Sequence, residues 1–103
     1  MQLEHYPQEK LKKEILDIIG KYLDLNCYRI FFFGSRVSGK SHERSDIDIG
    51  IEGKDPIPAD AWLEIQEEIG NLSTLYKIEL VNFTHVSSLF REVALQHTEL
   101  LHP

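Results

Sequence analysis

Within Ser45 to Glu52, the residues from Asp46 onward (Asp46-Ile47-Asp48-Ile49-Gly50-Ile51-Glu52) alternate one by one between polar or small side chains and isoleucine. Successive side chains of a strand point to opposite faces, so this period of two predicts a strand with Ile47, Ile49 and Ile51 anchored in a core. Asp46, Asp48 and Gly50 then share the other face. A helix would scatter the isoleucines around its circumference, so the chain must build a sheet with at least one buried face. The two aspartates, pointing the same way, repel one another and call for cations.

The flanking segments supply the rest of a small α/β domain. Leu11, Ile15, Ile18, Ile19, Tyr22 and Leu23 recur at helical spacing after Pro7, which predicts a helix over Gln8 to Leu25. Tyr28 to Phe33 is an aromatic and β-branched run stopped by Gly34 and reads as a central, buried strand. Gly53-Lys54-Asp55-Pro56 breaks the aspartate-bearing strand. Trp62, Ile65, Ile69 and Leu72 predict a second amphipathic helix over Pro58 to Leu75, and Lys77 to Phe83 a further strand. Such a β-α-β unit crosses over right-handed and sets its two strands parallel and adjacent. Leu89, Phe90, Val93, His97 and Leu100 on one side predict a last helix from Val86 to Leu101. The expected fold class is α/β with a mixed sheet, in the order α-β-α-β-α-β-α.

The chain has 103 residues, 42% of them hydrophobic, which suits one compact domain over residues 1 to 103 and leaves no room for a second. No stretch approaches the roughly 20 apolar residues of a membrane span, and Met1 to Lys13 is charged where a secretion signal would be apolar. A cytoplasmic protein without membrane contact is expected. Cys27 has no second cysteine to pair with and, beside Tyr28 and Ile30, is expected to be a small core residue. The five histidines show no metal-ligand spacing.

The net charge of -6 is unevenly spread. From Arg29 to Arg44 there are four basic residues against Glu43, whereas from Ser45 to Glu79 nine acids face Lys54 and Lys77. The first segment can attract phosphate and the second cations. An acidic chain without a long basic stripe argues against free nucleic acid as the partner.

Chemistry concentrates where these two segments meet. The glycine of Gly34-Ser35-Arg36-Val37-Ser38-Gly39, at the end of a strand, lets a phosphate approach backbone amides, with Ser35 as a hydroxyl donor and Arg36 as a cation. Asp46 and Asp48 form a donor pair suited to Mg²⁺, which is commonly held by one or two carboxylates together with substrate phosphates and water. Two such ions can clamp the attacking and leaving oxygens of a phosphoryl transfer. Glu79 lies between Ile78 and Leu80 and, as an unpaired carboxylate in an apolar strand, should face a metal, a basic partner or solvent. If its strand neighbours that of Asp48, the three carboxylates converge, and Glu79 can help hold the metal at the acceptor hydroxyl or take its proton.

The Gly34-Ser35 turn, Ser45-Asp46-Ile47-Asp48-Ile49 and Ile78-Glu79-Leu80-Val81 together resemble the pattern of minimal nucleotidyltransferases of the DNA polymerase beta superfamily. The resemblance covers most of the chain and implies a palm-like nucleotidyltransferase fold. It implies nucleotide binding by Gly34, Ser35 and Arg36, and metal binding and catalysis by Asp46, Asp48 and Glu79, a position where the family more often has aspartate. It further implies Mg²⁺ as the cofactor, with two ions in the site and Mn²⁺ as a substitute. Small members of this kind are often encoded beside an all-helical HEPN protein. On that resemblance the chain would be the antitoxin of a toxin-antitoxin pair, moving AMP from ATP to a hydroxyl of the HEPN partner, commonly a tyrosine.

Two other readings compete. The same loop, Gly34 to Ser41, satisfies the P-loop pattern G-x-x-x-x-G-K-[ST], in which Lys40 would contact the terminal phosphates. A P-loop must open a substantial helix, however, and here His42-Glu43-Arg44-Ser45 leads straight into the strand pattern. A nucleotide-binding module that acts by masking its partner, with weak catalysis or none, is the second alternative.

Overall fold

The computed structural model describes residues 3, 6–34, 37 and 46–102. Among these the chain forms helix α1 (Gln8–Tyr22), strands β1 (Tyr28–Phe33) and β2 (Ile47–Gly53), helix α2 (Ala59–Gly70), strand β3 (Ile78–Asn82), helix α3 (Ser88–Ala94) and strand β4 (Glu99–His102). The strands make one mixed sheet in the order β3-β2-β1-β4. β1 runs antiparallel to both β2 and β4, and β2 runs parallel to β3. The β-α-β unit read from the sequence is therefore present, and Tyr28–Phe33 is one of the two inner strands. The helix expected between β1 and β2 falls on a stretch that, apart from Val37, lies outside the described residues.

The sheet has two different faces. Ile30 and Phe32 of β1 and Ile47, Ile49 and Ile51 of β2, all fully buried or nearly so, point toward α1 and α2, which add Leu11, Ile15, Ile18, Ile19, Ile65 and Ile69. This is the main core. The hydroxyl of Tyr22 and the ammonium of Lys21 both donate to Glu68, tying α1 to α2. On the opposite face Phe31, Phe33 and Phe83 form a smaller aromatic cluster. Phe83 meets Phe31 and Phe33 edge-on, with ring centroids 5.0 and 5.1 Å apart, the arrangement that brings a positive ring edge to a negative face. Gly50 lies over this cluster, where an added Cβ would stand 2.7 Å from the Phe83 ring.

Four expectations need correction. The last helix is seven residues long and ends at Ala94, and residues 99–102 turn back as a strand on the outer edge of β1. Leu89 and Val93 are left 71% and 59% exposed, so helical periodicity there has no core to bury against and cannot hold the helix as far as Leu101. α1 stops at Tyr22 because Leu23 adopts extended geometry and is itself buried, and α2 stops at Gly70, short of the fully solvated Leu75. Cys27 is exposed, its thiol near the Asp24 carboxylate, and is no part of the core.

Candidate active site

The alternation of β2 delivers what it predicted: with its isoleucines in the main core, Asp48 emerges on the face of the aromatic cluster. Cross-strand partners share a face, and the register pairs Asp48 with Phe33 of β1 on one side and with Glu79 of β3 on the other. Asp48 and Glu79 thus stand side by side at the same level of the sheet. Asp46 sits just before β2, half-buried, where the Ile47 amide donates to the Lys77 carbonyl at 2.9 Å and holds the start of β2 against β3.

Gly34 closes the site at the end of β1. Its φ of 85° lies in the left-handed region that favours glycine, and a Cβ there would overlap the Asp48 carboxylate. The sequence suggested a glycine that admits a phosphate. The geometry adds that the same missing side chain admits Asp48, so the Gly34 turn and the carboxylate are built against each other. Ser35 and Arg36, also expected at this turn, lie outside the described residues, as does Lys40.

The electrostatics match this crowding. Burial pushes the Asp48 carboxyl above its ordinary value, and the negative charges of Glu79 and Asp46 raise it further. Lys77 answers part of that charge. Its ammonium lies 3.2 Å from Glu79 Oε1, and this contact, with the charges of Asp46 and Glu79, raises its own pKa. Sequence reasoning counted Lys77 only as one of two bases in an acidic stretch. Its position two residues before Glu79 in a strand was the available signal, since period two puts both on one face. Among the described residues no three His, Cys, Asp or Glu side chains close on one point as a finished metal site. The donor set still fits a divalent cation, because Asp48 and Glu79 are paired in register and Asp48, half-buried, lies among the negative charges of Glu79 and Asp46. Among the described residues no helix is long and apolar enough to cross a membrane.

The chain is similar to a Haemophilus influenzae protein named "Probable protein adenylyltransferase MntA", with 29% identity over 90 residues that span 85% of this chain and 79% of the relative. Its fold matches that of a chain in the complex of tri-AMPylated Shewanella oneidensis HEPN toxin with MNT antitoxin, at a TM-score of 0.67 and 20% identity, covering 92% of this chain and 71% of the other. A toxin-antitoxin structure with AMP-PNP gives a TM-score of 0.66 at 23% identity, covering 87% of this chain and 71% of the other. The family model for polymerase beta nucleotidyltransferases matches residues 13–102, which include every strand and the Gly34 turn, Asp46, Asp48 and Glu79. A strand-borne carboxylate pair set against a glycine turn, within a match of that length, means that the chain belongs to the polymerase beta nucleotidyltransferase family.

Proposed function

We propose that residues 1 to 103 act as one nucleotidyltransferase domain that moves AMP from ATP to a hydroxyl of an all-helical HEPN-type partner, as the antitoxin of a toxin-antitoxin pair in the cytoplasm. The observation that carries this reading is the side-by-side register of Asp48 and Glu79 against the Gly34 turn. The relatives add the direction: one is named for protein adenylylation, and a structural neighbour pairs an MNT antitoxin with an AMPylated HEPN toxin.

In this reading the backbone at Gly34, with the Ser35 hydroxyl and the Arg36 guanidinium, holds the triphosphate. Asp46 and Asp48 would hold divalent metal, Mg²⁺ or Mn²⁺, with Glu79 beside them as the third carboxylate. Bound metal would neutralise the phosphates and sharpen the acceptor oxygen as a nucleophile. Glu79 takes the proton of the acceptor hydroxyl. The acceptor oxygen bonds to the α-phosphorus, the bond from that phosphorus to the β-phosphate oxygen breaks, and pyrophosphate leaves. Mg²⁺ is commonly held by one or two carboxylates, with substrate phosphates and water as the remaining ligands. The acidic surface suits a protein acceptor better than a nucleic acid.

Incubation with labelled ATP, Mg²⁺ and the product of the adjacent gene should add the mass of AMP to that product. Label found only on small hydroxyl compounds would overturn the antitoxin reading, and no label on any acceptor, with the partner still bound, would favour a masking module.

A further inference from the structure

Beside Gly34, between the end of β1 and α3, the surface opens into a cavity of about 350 Å³ lined by Phe33, Gly34, Phe90, Val93, Gln96 and His97. Its volume falls in the roughly 300–1,000 Å³ range of small-molecule sites, which likewise combine apolar walls with a few polar groups. The Phe33 and Phe90 rings stand nearly perpendicular with centroids 6.3 Å apart, and Phe90 and Val93 remain 43% and 59% exposed. Neither residue is used up by the core.

The sheet order decides what this cavity faces. Glu79 lies on the β3 side of Asp48, whereas Phe33 and Gly34 lie on its β1 side. An acceptor whose proton goes to Glu79 approaches from the β3 side. In-line attack from that side sends the leaving pyrophosphate toward β1, and a nucleotide held there at Gly34 borders the cavity, because Gly34 and Phe33 both line it. Purine rings stack on aromatic side chains, and a glutamine amide can pair with both N6 and N7 of adenine, which guanine cannot satisfy in the same way.

We propose that the cavity between β1 and α3 is the donor-base subsite, in which adenine packs against Phe33 and Phe90 and Gln96 reads its N6–N7 edge. This rests on the nucleotidyltransferase reading above and deepens it, since it assigns the preference for ATP to α3 and the turn that follows.

The test is calorimetric titration of ATP, GTP and inorganic tripolyphosphate, each with Mg²⁺, onto the wild-type chain and onto Val93→Trp, Phe90→Ala and Gln96→Ala. Val93→Trp fills the cavity from an exposed position and should weaken ATP by on the order of tenfold, while tripolyphosphate stays within about twofold. Phe90→Ala should show the same contrast by removing a wall, and carries the test should the tryptophan variant misfold. Gln96→Ala should narrow a preference for ATP over GTP. Unchanged ATP affinity in both cavity variants, equal losses for ATP and tripolyphosphate, or no wild-type preference for ATP would overturn the proposal. Loss of helical-partner binding with ATP affinity intact would overturn it in favour of a docking surface. Failure of the wild type to bind either ATP or tripolyphosphate would instead sink the nucleotidyltransferase reading beneath it.

Discussion

Gly34 and Asp48 illustrate how one missing side chain and one crowded charge set a site. Because Gly34 combines a φ of 85° with a position where a Cβ would overlap the Asp48 carboxylate, Gly34→Ala faces both backbone strain and a clash. Denaturant unfolding should show a loss of about 1–3 kcal/mol, accompanied by loss of nucleotide transfer. Asp48 behaves in the opposite sense. Its carboxyl titrates above the ordinary value of 3.8, so over that interval the folded chain holds a proton that the unfolded chain has released. Stability from this group therefore falls as pH rises from 3.8 through the raised value, the reverse of an ion-paired carboxylate. Asp48→Asn should raise the melting temperature of the metal-free protein at neutral pH and flatten that part of its pH dependence. Transfer activity should drop by more than about 100-fold. A melting temperature unchanged or lowered in the metal-free variant would contradict the charge-crowding account, and full activity would remove Asp48 from the metal site.

At the scale of elements, α3 is held by little. Its seven residues include no fully buried one, and it is held by Phe90 and Ala94 resting on the aromatic cluster, by the Ser87 hydroxyl accepting from the Phe90 amide at 3.1 Å and by the Arg91 Nε donating to Glu52 Oε2 at 2.7 Å. A helix this short is marginal without such ties, so Ser87→Ala should cost about 1 kcal/mol of local stability. Hydrogen exchange should speed up across α3 while β1 and β2 keep their protection, and uniform acceleration would show that α3 unfolds only with the whole chain. The same element marks where the sequence stopped being legible. β2 could be read because one buried face fixes a period of two, and the β-α-β crossover because parallel neighbours need a connecting helix. The carboxylate face followed from the same alternation. The tail could not be read this way: Leu89, Phe90, Val93, His97 and Leu100 fit a helical spacing, and nothing local says that Leu100 belongs to a strand paired with Phe31, far away in the chain. Lys77 is a mixed case: its period-two spacing from Glu79 is local and legible, whereas the crowding of carboxylates that its ammonium answers exists only with β3 beside β2.

On the scale of the whole molecule, that late strand matters more than its four residues suggest. β4 covers the outer edge of β1, pairing with Ile30, Phe31 and Phe32, each fully buried. It is also tied to the other end of the chain: Gln8 donates from its side-chain amide to Glu99 at 2.9 Å, and Lys12 lies 4.0 Å from the same carboxylate. Sheet edges with unpaired backbone groups and apolar flanks are templates for association, and β1 without β4 would be such an edge, lined by three phenylalanines. Ending the chain at His97 should therefore abolish a cooperative thermal transition or drive the protein into larger assemblies on size-exclusion chromatography. Glu99→Ala keeps the backbone pairing and removes only side-chain ties of the kind worth up to about 1 kcal/mol, so it should leave the protein folded with a slightly lower melting temperature. The two variants separate strand pairing from side-chain contact. A truncated chain that melts cooperatively near the wild-type temperature and stays the same size would mean that α1, α2 and the β1-β2-β3 sheet suffice, and that β4 is an accessory to the fold.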